Sequence, residues 1–261
     1  MALRLVITDA VWAELEPIVR SLKHYAGSPP RLSDRMFIEA VLYQARTGIP
    51  WRDLPDDFGN WDAVYNRFRR WEARDIWKQL WQHVQHNGCQ LAHQVFIDST
   101  IMRAHQHAAG AQKKNGGQDA QALGRSRGGF STKLHAACTN EKTGVALILT
   151  SGARHDAPGF ELVWHDVPDL PELNAAVMDK GYDSDAIRQV LADQGVEAVI
   201  PGKTNRTQEI VYDKEQYKLR QQVERFFNKL KQFRRIATRY DKLSRTFLAF
   251  IHLVATWIMI R

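Results

Sequence analysis

The chain has 261 residues, of which 44% are hydrophobic and 25% charged, and these values are typical of a folded protein rather than a disordered one. Its net charge is +7, and residues 203–239 hold 11 basic and 4 acidic side chains, which predicts a positive surface that attracts polyanions. Two cysteines are too few for a disulfide framework or a cysteine-based zinc site. The longest apolar run, residues 247–260, is too short for a membrane span, and no secretory signal opens the chain. We therefore expect a cytoplasmic, nucleoid-associated protein.

Residues 1–90 are predicted to form a small helical domain. Thr8 and Ser33 occupy N-cap positions of two helices, Gly48 follows the second helix, and a third helix begins near Asn60. Most of the tryptophans lie in this region, so we expect its helices to pack on aromatic side chains.

Three arginines on the third predicted helix, Arg67, Arg69 and Arg70, make this domain a candidate DNA reader. Short helices joined by tight turns are typical of helix-turn-helix proteins, and a Gly-Ser-Pro-Pro break at 27–30 separates the first two helices. A plain helical bundle with a basic face has the same pattern. Residues 1–94 hold 12 basic and 11 acidic side chains, so their charge does not separate the two alternatives.

Residues 91–261 show a different pattern, in which strands come first and then alternate with helices. The segment 94–98 is a β-type run, and 105–130 is predicted to be a mobile basic loop because it is rich in Gly, Ala, Gln and Lys. Two strands, 130–138 and 145–149, form a predicted hairpin around a Thr-Gly turn.

The remaining predicted elements alternate in type along the chain. They are a helix near 160–165, a strand at 175–179, a helix from Ser184 to 194, a strand at 196–200, a long basic helix from about 213 and an apolar C-terminal helix. This order predicts a mixed sheet covered by helices, in the α/β class.

Two of the predicted strands end in an acid, Asp98 and Asp179. Ligands usually bind at strand ends of open α/β sheets, and paired carboxylates there supply the hard oxygen ligands that divalent cations prefer. Aspartate is also common at turns, so the pair alone indicates a metal site only weakly.

The long basic helix presents a polar set that is able to line a cleft. Tyr217, Arg220, Glu224 and Lys231 fall within an arc of about 60° on one helical face, while apolar residues cluster on an adjoining face. An ordinary amphipathic surface helix with an Arg220–Glu224 ion pair is the alternative.

The spacing Y-x2-R-x3-E-x6-K of these four residues resembles the signature of insertion-sequence DDE transposases of the four/five superfamily. Asp98-Ser99-Thr100 resembles the first acidic motif of that family, and Asp179-Lys180-Gly181-Tyr182 resembles the second. The helical N-terminal region is similar to the domain that precedes the catalytic core in family-five members. The resemblance therefore spans nearly the whole chain, with three motifs in the family's order.

The resemblance implies a ribonuclease H-like core in which Asp98, Asp179 and Glu224 are the catalytic triad. They would hold two Mg²⁺ ions, replaceable by Mn²⁺, at about 3.5–4 Å from each other. Asp98 would bridge the two ions, and the other two acids would each favour one ion. The implied activity is binding of terminal inverted repeats, cleavage to expose 3′-OH ends and joining to target DNA, by a homodimer on double-stranded DNA.

The same resemblance assigns DNA phosphates to the basic helix. Tyr217, Arg220 and Lys231 would contact phosphates near the cut. The basic track would continue through the following side chains: Arg225, Lys229, Arg234, Arg235 and Arg239.

Several further residues are candidates on spacing alone. Lys133 and His135 share one side of a predicted strand, where a DNA contact and a plain surface position are equally compatible. His105 and His107 form a potential metal pair without a third ligand, and His155-Asp156 follows the hairpin close to the predicted site. Two other functions remain open: a DNA-binding regulator without catalysis, and a domesticated nuclease that cuts DNA but does not join it.

Overall fold

The computed structural model describes residues 4–23, 31–109, 117–126, 128–154 and 157–261. The predicted break at 27–30 and the predicted His155-Asp156 pair lie outside the described residues.

The N-terminal region forms helices that begin and end where their capping residues predict. Thr8 accepts a hydrogen bond from the N–H of Val11, Ser33 accepts one from Met36, and Gly48 ends the second helix with a φ of 72°. Glycine adopts that left-handed conformation without strain. The helices are α1 (Asp9–Leu22), α2 (Asp34–Thr47), α3 (Trp61–Ala73) and α4 (Ile76–Cys89).

The sheet that follows is mixed, as predicted. Its strands are β1 (Gln94–Ala104), β2 (Gly124–Ser126), β3 (Gly129–Cys138), β4 (Gly144–Ser151), β5 (Ala175–Met178), β6 (Glu197–Val199) and β7 (Thr238–Arg239). The order is β2-β3-β1-β5-β6, with β4 also paired to β3 and β7 also paired to β1. β1, β3 and β4 pair antiparallel, whereas β5 and β6 run parallel to β1. This is the ribonuclease H-like arrangement that the resemblance implied.

Helices cover both faces of the sheet. They are α5 (Gly117–Ala120), α6 (Ala157–Asp166), α7 (Asp185–Asp193), α8 (Lys214–Lys218), α9 (Gln221–Lys231), α10 (Arg234–Ala237) and α11 (Ser244–Ile260). Alternate residues of β1 face opposite layers: Phe96 and Met102 pack in the core that contains α9 and α11, while Val95 and Ile97 pack in the core that contains α6 and α7. No helix in the described ranges is both long and apolar enough to cross a membrane.

The N-terminal helices and the C-terminal helix share one hydrophobic core. Phe250 of α11 stacks on Phe68 of α3 at 4.6 Å between ring centroids, and His252 stacks on Trp81 of α4 at 4.9 Å. A single cluster of buried side chains contains residues of α1, α2, α3, α4, α9 and α11. The division into domains at residues 90 and 91 stays a prediction, but the two parts are not separately packed.

Part of the predicted mobile loop 105–130 is ordered. Among its described residues, Gln106–Ala109 forms a 3₁₀ turn, α5 and β2 form next to it, and Leu123 is buried. Residues 110–116 and 127 lie outside the described ranges.

The predicted long basic helix is divided into three shorter helices, α8, α9 and α10. Between α8 and α9, the N–H groups of Arg220, Gln222 and Val223 each donate to a carbonyl three residues back instead of four. Such 3₁₀ tightening changes the direction of the side chains that follow. Tyr217 and Arg220 therefore lie before α9, and only Glu224 and Lys231 lie within it.

Candidate active site

The two aspartates lie side by side on neighbouring parallel strands. Ile97 of β1 is in register with Met178 of β5, so Asp98 and Asp179 are the next residues on strands about 4.8 Å apart. Backbone donors hold both carboxylates: the Ser99 N–H lies 2.7 Å from Oδ1 of Asp98, and the Gly181 N–H lies 2.8 Å from Oδ1 of Asp179. The structure thus brings the first two predicted acids together, but only Asp179 follows a strand end; Asp98 lies within β1, which continues to Ala104 and not only to the predicted residue 98.

Arg220 connects Asp98 to the third predicted acid. Its Nη1 donates to Oδ2 of Asp98 at 2.8 Å, and its Nη2 donates to Oε1 of Glu224. The side chain of Glu224 is 51% exposed, whereas those of Asp98 and Arg220 are 17% and 23% exposed. A guanidinium therefore lies between two of the three carboxylates and balances part of their charge.

Tyr217 lies close to the same group of charges. Burial raises the pKa of the Tyr217 phenol; the positive charge of Arg220 opposes this rise, and the negative charge of Asp179 adds to it. Its ring packs edge-on against Tyr212, with 5.5 Å between centroids. Tyr217 thus lies near both Asp179 and Arg220.

Lys231 joins the far end of α9 to β1. Its Nζ lies 2.6 Å from Oγ1 of Thr100, two residues beyond Asp98 and therefore on the same face of the strand. Partial burial lowers the pKa of Lys231. The sequence did not identify Thr100 as a contact, because a threonine following a motif acid carries no distinct signal. Arg220 and Lys231 thus connect the two ends of α9 to Asp98 and Thr100 of β1.

The donor set suits a divalent cation, but its side chains are not gathered around one position. Three carboxylates are the hard oxygen ligands of Mg²⁺. In the described part of the chain, no three His, Cys, Asp or Glu side chains lie close enough to hold an ion together. For Asp98 and Glu224, the guanidinium of Arg220 accounts for this separation. The same finding applies to His105 and His107, whose rings contact each other at 4.4 Å but gain no third ligand from the described residues.

Asp183 is held in the structure by cations and does not belong to the site. Its fully buried carboxylate accepts hydrogen bonds from Arg188 and Arg206 and from the backbone N–H of Lys203. Burial alone would raise the pKa of Asp183, but hydrogen bonds from Arg206, Lys203 and Arg188 outweigh it and hold the pKa well below its usual range. The second acidic motif likewise begins at Asp179, so the motif and the contacts of Asp183 both favour Asp179 as the site acid.

The basic track along α9 is shorter than predicted. Arg225 is exposed and Lys229 half-buried, and both contact Glu141, at 3.3 Å and 2.7 Å. Arg235 and Arg239 are buried, so the prediction that they extend the DNA-contact surface is wrong. Arg235 pairs with Asp241, and Arg239 donates to the following oxygens: Asp241 O, Lys242 O, Ala122 O and Thr132 Oγ1.

Lys133 and His135 are also buried, so neither predicted alternative, a DNA contact or a surface position, fits them. Nζ of Lys133 donates to the carbonyl of Arg154 at 2.6 Å. His135 has no exposed surface, and its Nε2 lies 2.8 Å from Oγ1 of Thr150. β3 has both faces covered here, which the alternation of its residues did not reveal.

The packing around His135 gives a test of its structural position. A Cβ added to Gly159 of α6 would lie 2.4 Å from Cε1 and Nδ1 of the His135 ring, closer than real contacts allow. Because the ring is enclosed, we expect Gly159→Ala to lower the free energy of unfolding by about 1–3 kcal/mol. Urea denaturation measures this, with Gly195→Asn, which keeps a residue tolerant of positive φ in open space, as the control. An unchanged midpoint for Gly159→Ala would show that His135 is free to move aside.

The predicted DNA reader on α3 is largely paired within the protein. Arg67 is 5% exposed, donates to the carbonyl of Leu32 at 2.9 Å, and pairs with Asp34. Nε of Arg69 pairs with Glu72 at 3.1 Å, and only Arg70 is exposed. These contacts agree better with the plain helical bundle than with a helix that presents three arginines to DNA.

Two curated bacterial proteins are similar to this chain. A "Putative transposase for insertion sequence element IS6501" of Brucella ovis is 34% identical over 134 residues, which are 51% of this chain and 100% of that protein. The "Uncharacterized protein y4sN" of Sinorhizobium fredii is 40% identical over 89 residues, 34% of this chain and 70% of that protein.

Two solved structures show a distant likeness that carries no functional weight. The piggyBac transposase synaptic complex with hairpin DNA gives a TM-score of 0.39 at 13% identity and covers 75% of this chain and 47% of its own. The Mos1 transposase paired-end complex with left transposon end gives a TM-score of 0.28 at 15% identity; the match covers 67% of this chain and 61% of the Mos1 chain. This chain spans less than two thirds of either one.

Family models match both parts of the chain. The model described as "Putative transposase of IS4/5 family" matches residues 7–81, which include most of α1 to α4. The model described as "Transposase DDE domain" matches residues 92–259, more than half of the chain and the whole of the sheet described above. Since that match includes all three acids of the site, the chain belongs to the DDE transposases of the insertion-sequence four/five group.

Proposed function

We propose that this protein binds the terminal inverted repeats of an insertion sequence, cleaves the DNA to expose 3′-OH ends and joins these ends to target DNA. The observation that supports this most directly is that Asp98 on β1 lies beside Asp179 at the end of β5, while Arg220 connects Asp98 to Glu224 on α9. The DDE family membership supports the same reaction class.

The three acids would hold two divalent cations, Mg²⁺ or Mn²⁺. When bound, such cations supply charge stabilisation to the attacking and leaving oxygens of a phosphodiester displacement. Hydrogen bonds from the backbone N–H groups of Ser99 and Gly181 orient the side chains of Asp98 and Asp179 in advance. The two aspartates would therefore lose little side-chain freedom on binding a cation. The family resemblance, rather than the position of Asp98 in the sheet, is the basis for assigning Asp98 as the ligand that the two cations would share.

Tyr217, Arg220 and Lys231 would contact the DNA backbone next to the cut. Arg220 bonds Asp98, Lys231 bonds Thr100 two residues further along β1, and Tyr217 lies near Asp179. The charged side chains of Arg220 and Lys231 are able to donate charge-assisted hydrogen bonds to phosphate. Arg225, one turn further along α9 and 53% exposed, would extend this contact. Holding two ends for joining requires two active sites, so we expect a homodimer on double-stranded DNA.

A strand-transfer assay tests the proposal. The purified chain is incubated with a labelled duplex that ends in the element's own inverted repeat, with a supercoiled target and with Mg²⁺. We expect nicking that exposes a 3′-OH, followed by labelled target product, and neither product in EDTA. A scrambled repeat of equal length is the control for end recognition.

Other outcomes of that assay separate the alternatives. Cleavage without labelled target product would indicate a nuclease that does not join DNA. Specific binding to the repeat without cleavage in Mg²⁺ or Mn²⁺ would indicate a DNA-binding regulator. Either result contradicts the proposed transposase activity.

A further inference from the structure

A basic groove lies where the N-terminal segment, α2, the α9–α10 junction and the end of α11 meet. One hollow of about 380 Å³ is lined by Arg4, Arg46 and Arg261 on its polar side. A second hollow of about 210 Å³ adjoins it, shares Phe233 and Trp257, and adds lysine side chains. We call the two hollows together the basic groove.

The positive charge of the basic groove is not neutralised by its own lining. The residues that line one or both hollows include five cationic side chains and no acidic side chain; the cations are Arg4, Arg46, Lys142, Lys229 and Arg261. Lys229 pairs with Glu141, and Arg46 donates to the carbonyl of Arg4 at 3.3 Å, but neither Arg4 nor Arg261 pairs with an acid of the described chain. Three guanidinium groups gathered in this way repel one another, and an anion bound between them would relieve that repulsion.

The basic groove is distinct from α3, the arginine-bearing helix that the sequence made a candidate DNA reader. Arg67 and Arg69 of α3 are paired with Asp34 and Glu72, so they have little charge left to attract an anion. Arg4 and Arg261 are exposed and Arg46 is half-buried, and no acidic side chain of the groove lining balances them. The basic groove therefore gathers three arginines at one place, whereas Arg70 is the one exposed arginine among the three that the sequence proposed on α3.

The basic groove and the acids are on different sides of α9. From Glu224 to Gln232, which lines both hollows, the distance along the helix axis is about 12 Å. Lys229 of α9, which lines the second hollow, is rotated by about 140° from Glu224 around that axis. The part of a DNA molecule that lies against the acids therefore cannot also fill the basic groove, and DNA in the groove would make a second, separate contact.

We propose that the basic groove is a second binding site for the phosphate backbone of double-stranded DNA. This inference rests on the proposed function for the identity of the partner. Guanidinium groups bind phosphate oxygens through paired hydrogen bonds, and a hollow of this size receives one edge of a backbone rather than a whole duplex. Because the lining comes from both parts of the chain, DNA bound there would contact the N-terminal helices and the catalytic region at once.

Salt-dependent binding tests the proposal without any need for cleavage. The probe is a fluorescein-labelled 30-base-pair duplex of arbitrary sequence, measured by anisotropy in EDTA from about 50 to 300 mM salt. The test variant carries Arg4→Gln, Arg46→Gln and Arg261→Gln. The matched control carries Arg20→Gln, Arg74→Gln and Lys78→Gln, which remove the same charge from the same region outside the groove.

Removal of one phosphate-binding cation should reduce the slope of log Kobs against log salt by about 1, so the slope of the groove variant should be smaller by about 3. Its affinity at 0.1 M salt should fall at least about tenfold, while the control should stay within about twofold of the unchanged protein. A third variant with lysine at the same three positions keeps the charge and should keep most of the slope. Thermal unfolding of all variants excludes misfolding as the cause.

Equal slopes for the groove variant and the control would overturn the inference, even if the unchanged protein cleaves and joins DNA. Loss of binding to labelled polyglutamate without loss of binding to the duplex would overturn it in favour of an acidic protein partner. If the unchanged protein does not cleave its repeat but the slopes of the groove variant and the control still differ, the inference about the basic groove stands and only the proposed reaction is contradicted.

Discussion

Asp98→Asn is expected to lower both DNA cleavage and strand transfer by at least about 10³-fold, roughly 4 kcal/mol of transition-state stabilisation. Asparagine has nearly the same shape and keeps the oxygen that accepts the Ser99 N–H, but it lacks the negative charge that pairs with Arg220. A neutral amide is a poor ligand for Mg²⁺ in a site that has only two other carboxylates. Both steps should fail together because one site serves both.

The affinity of Asp98→Asn for a labelled repeat should stay within about twofold of the unchanged protein, since the fold and the basic surfaces are retained. Gel-based cleavage and transfer assays in Mg²⁺ measure the loss, and anisotropy measures the binding. Asp193→Asn is the matched control, because the exposed Asp193 lies at the end of α7 and accepts a hydrogen bond from Gln189 rather than from a residue of the site. A normal cleavage rate for Asp98→Asn would exclude Asp98 from the reaction.

Local signals in the sequence predict much of the fold. Thr8, Ser33, Asn60 and Ser184 all cap helices in the structure, because an N-cap side chain bonds a backbone N–H two or three residues ahead. The strand before Asp179 ends where the sequence predicts, whereas β1 continues past Asp98 to Ala104 because its later residues pair with β3. Pairing of β1 with β5 then places the two acids together, as the parallel register requires.

Burial of basic residues could not be predicted in the same way. Arg67, Arg235 and Arg239 look like surface residues in sequence, since arginine is almost never fully buried without partners. Their partners are Asp34, Asp241 and backbone oxygens such as that of Ala122, which the fold brings near them. Only the tertiary arrangement shows that these charges are balanced inside the protein.

The shared core of the two parts is likewise a non-local property. α11 follows the catalytic motifs in sequence, yet Phe250 and His252 pack on α3 and α4. The apolar pattern of α11 predicts that the helix is buried, but not against which element. The basic groove arises from the same docking, because it places Arg261 beside Arg4 and Arg46.

The bridging position of Arg220 leads to the second large effect. An uninterrupted helix would have placed Arg220 one turn before Glu224, and the pair would then have been an ordinary surface contact. The 3₁₀ tightening between α8 and α9 instead accompanies a guanidinium that reaches both Asp98 and Glu224. Any divalent cation that binds these two acids must displace that guanidinium or bind beside its positive charge.

We therefore expect Arg220→Gln to bind Mn²⁺ about tenfold more tightly than the unchanged protein, while cleaving DNA about 10²-fold more slowly. The affinity rises because a positive charge next to the carboxylates is removed. The cleavage rate falls because glutamine cannot hold a phosphate near the cut as the guanidinium would. Isothermal titration or electron paramagnetic resonance of free Mn²⁺ measures the first effect without reference to activity.

Arg225→Gln provides the matched control for Mn²⁺ binding, since Arg225 lies on α9 but bonds Glu141 and Gln221 rather than the site acids. Binding reciprocity adds a second readout: if phosphate draws Arg220 away from Asp98 and Glu224, duplex DNA must tighten Mn²⁺ binding by the factor by which Mn²⁺ tightens DNA binding. That coupling should be present in the unchanged protein and in Arg225→Gln, and should be much smaller in Arg220→Gln. Equal Mn²⁺ affinities for all three proteins, with and without duplex, would show that Arg220 leaves the carboxylates freely and does not oppose the metal.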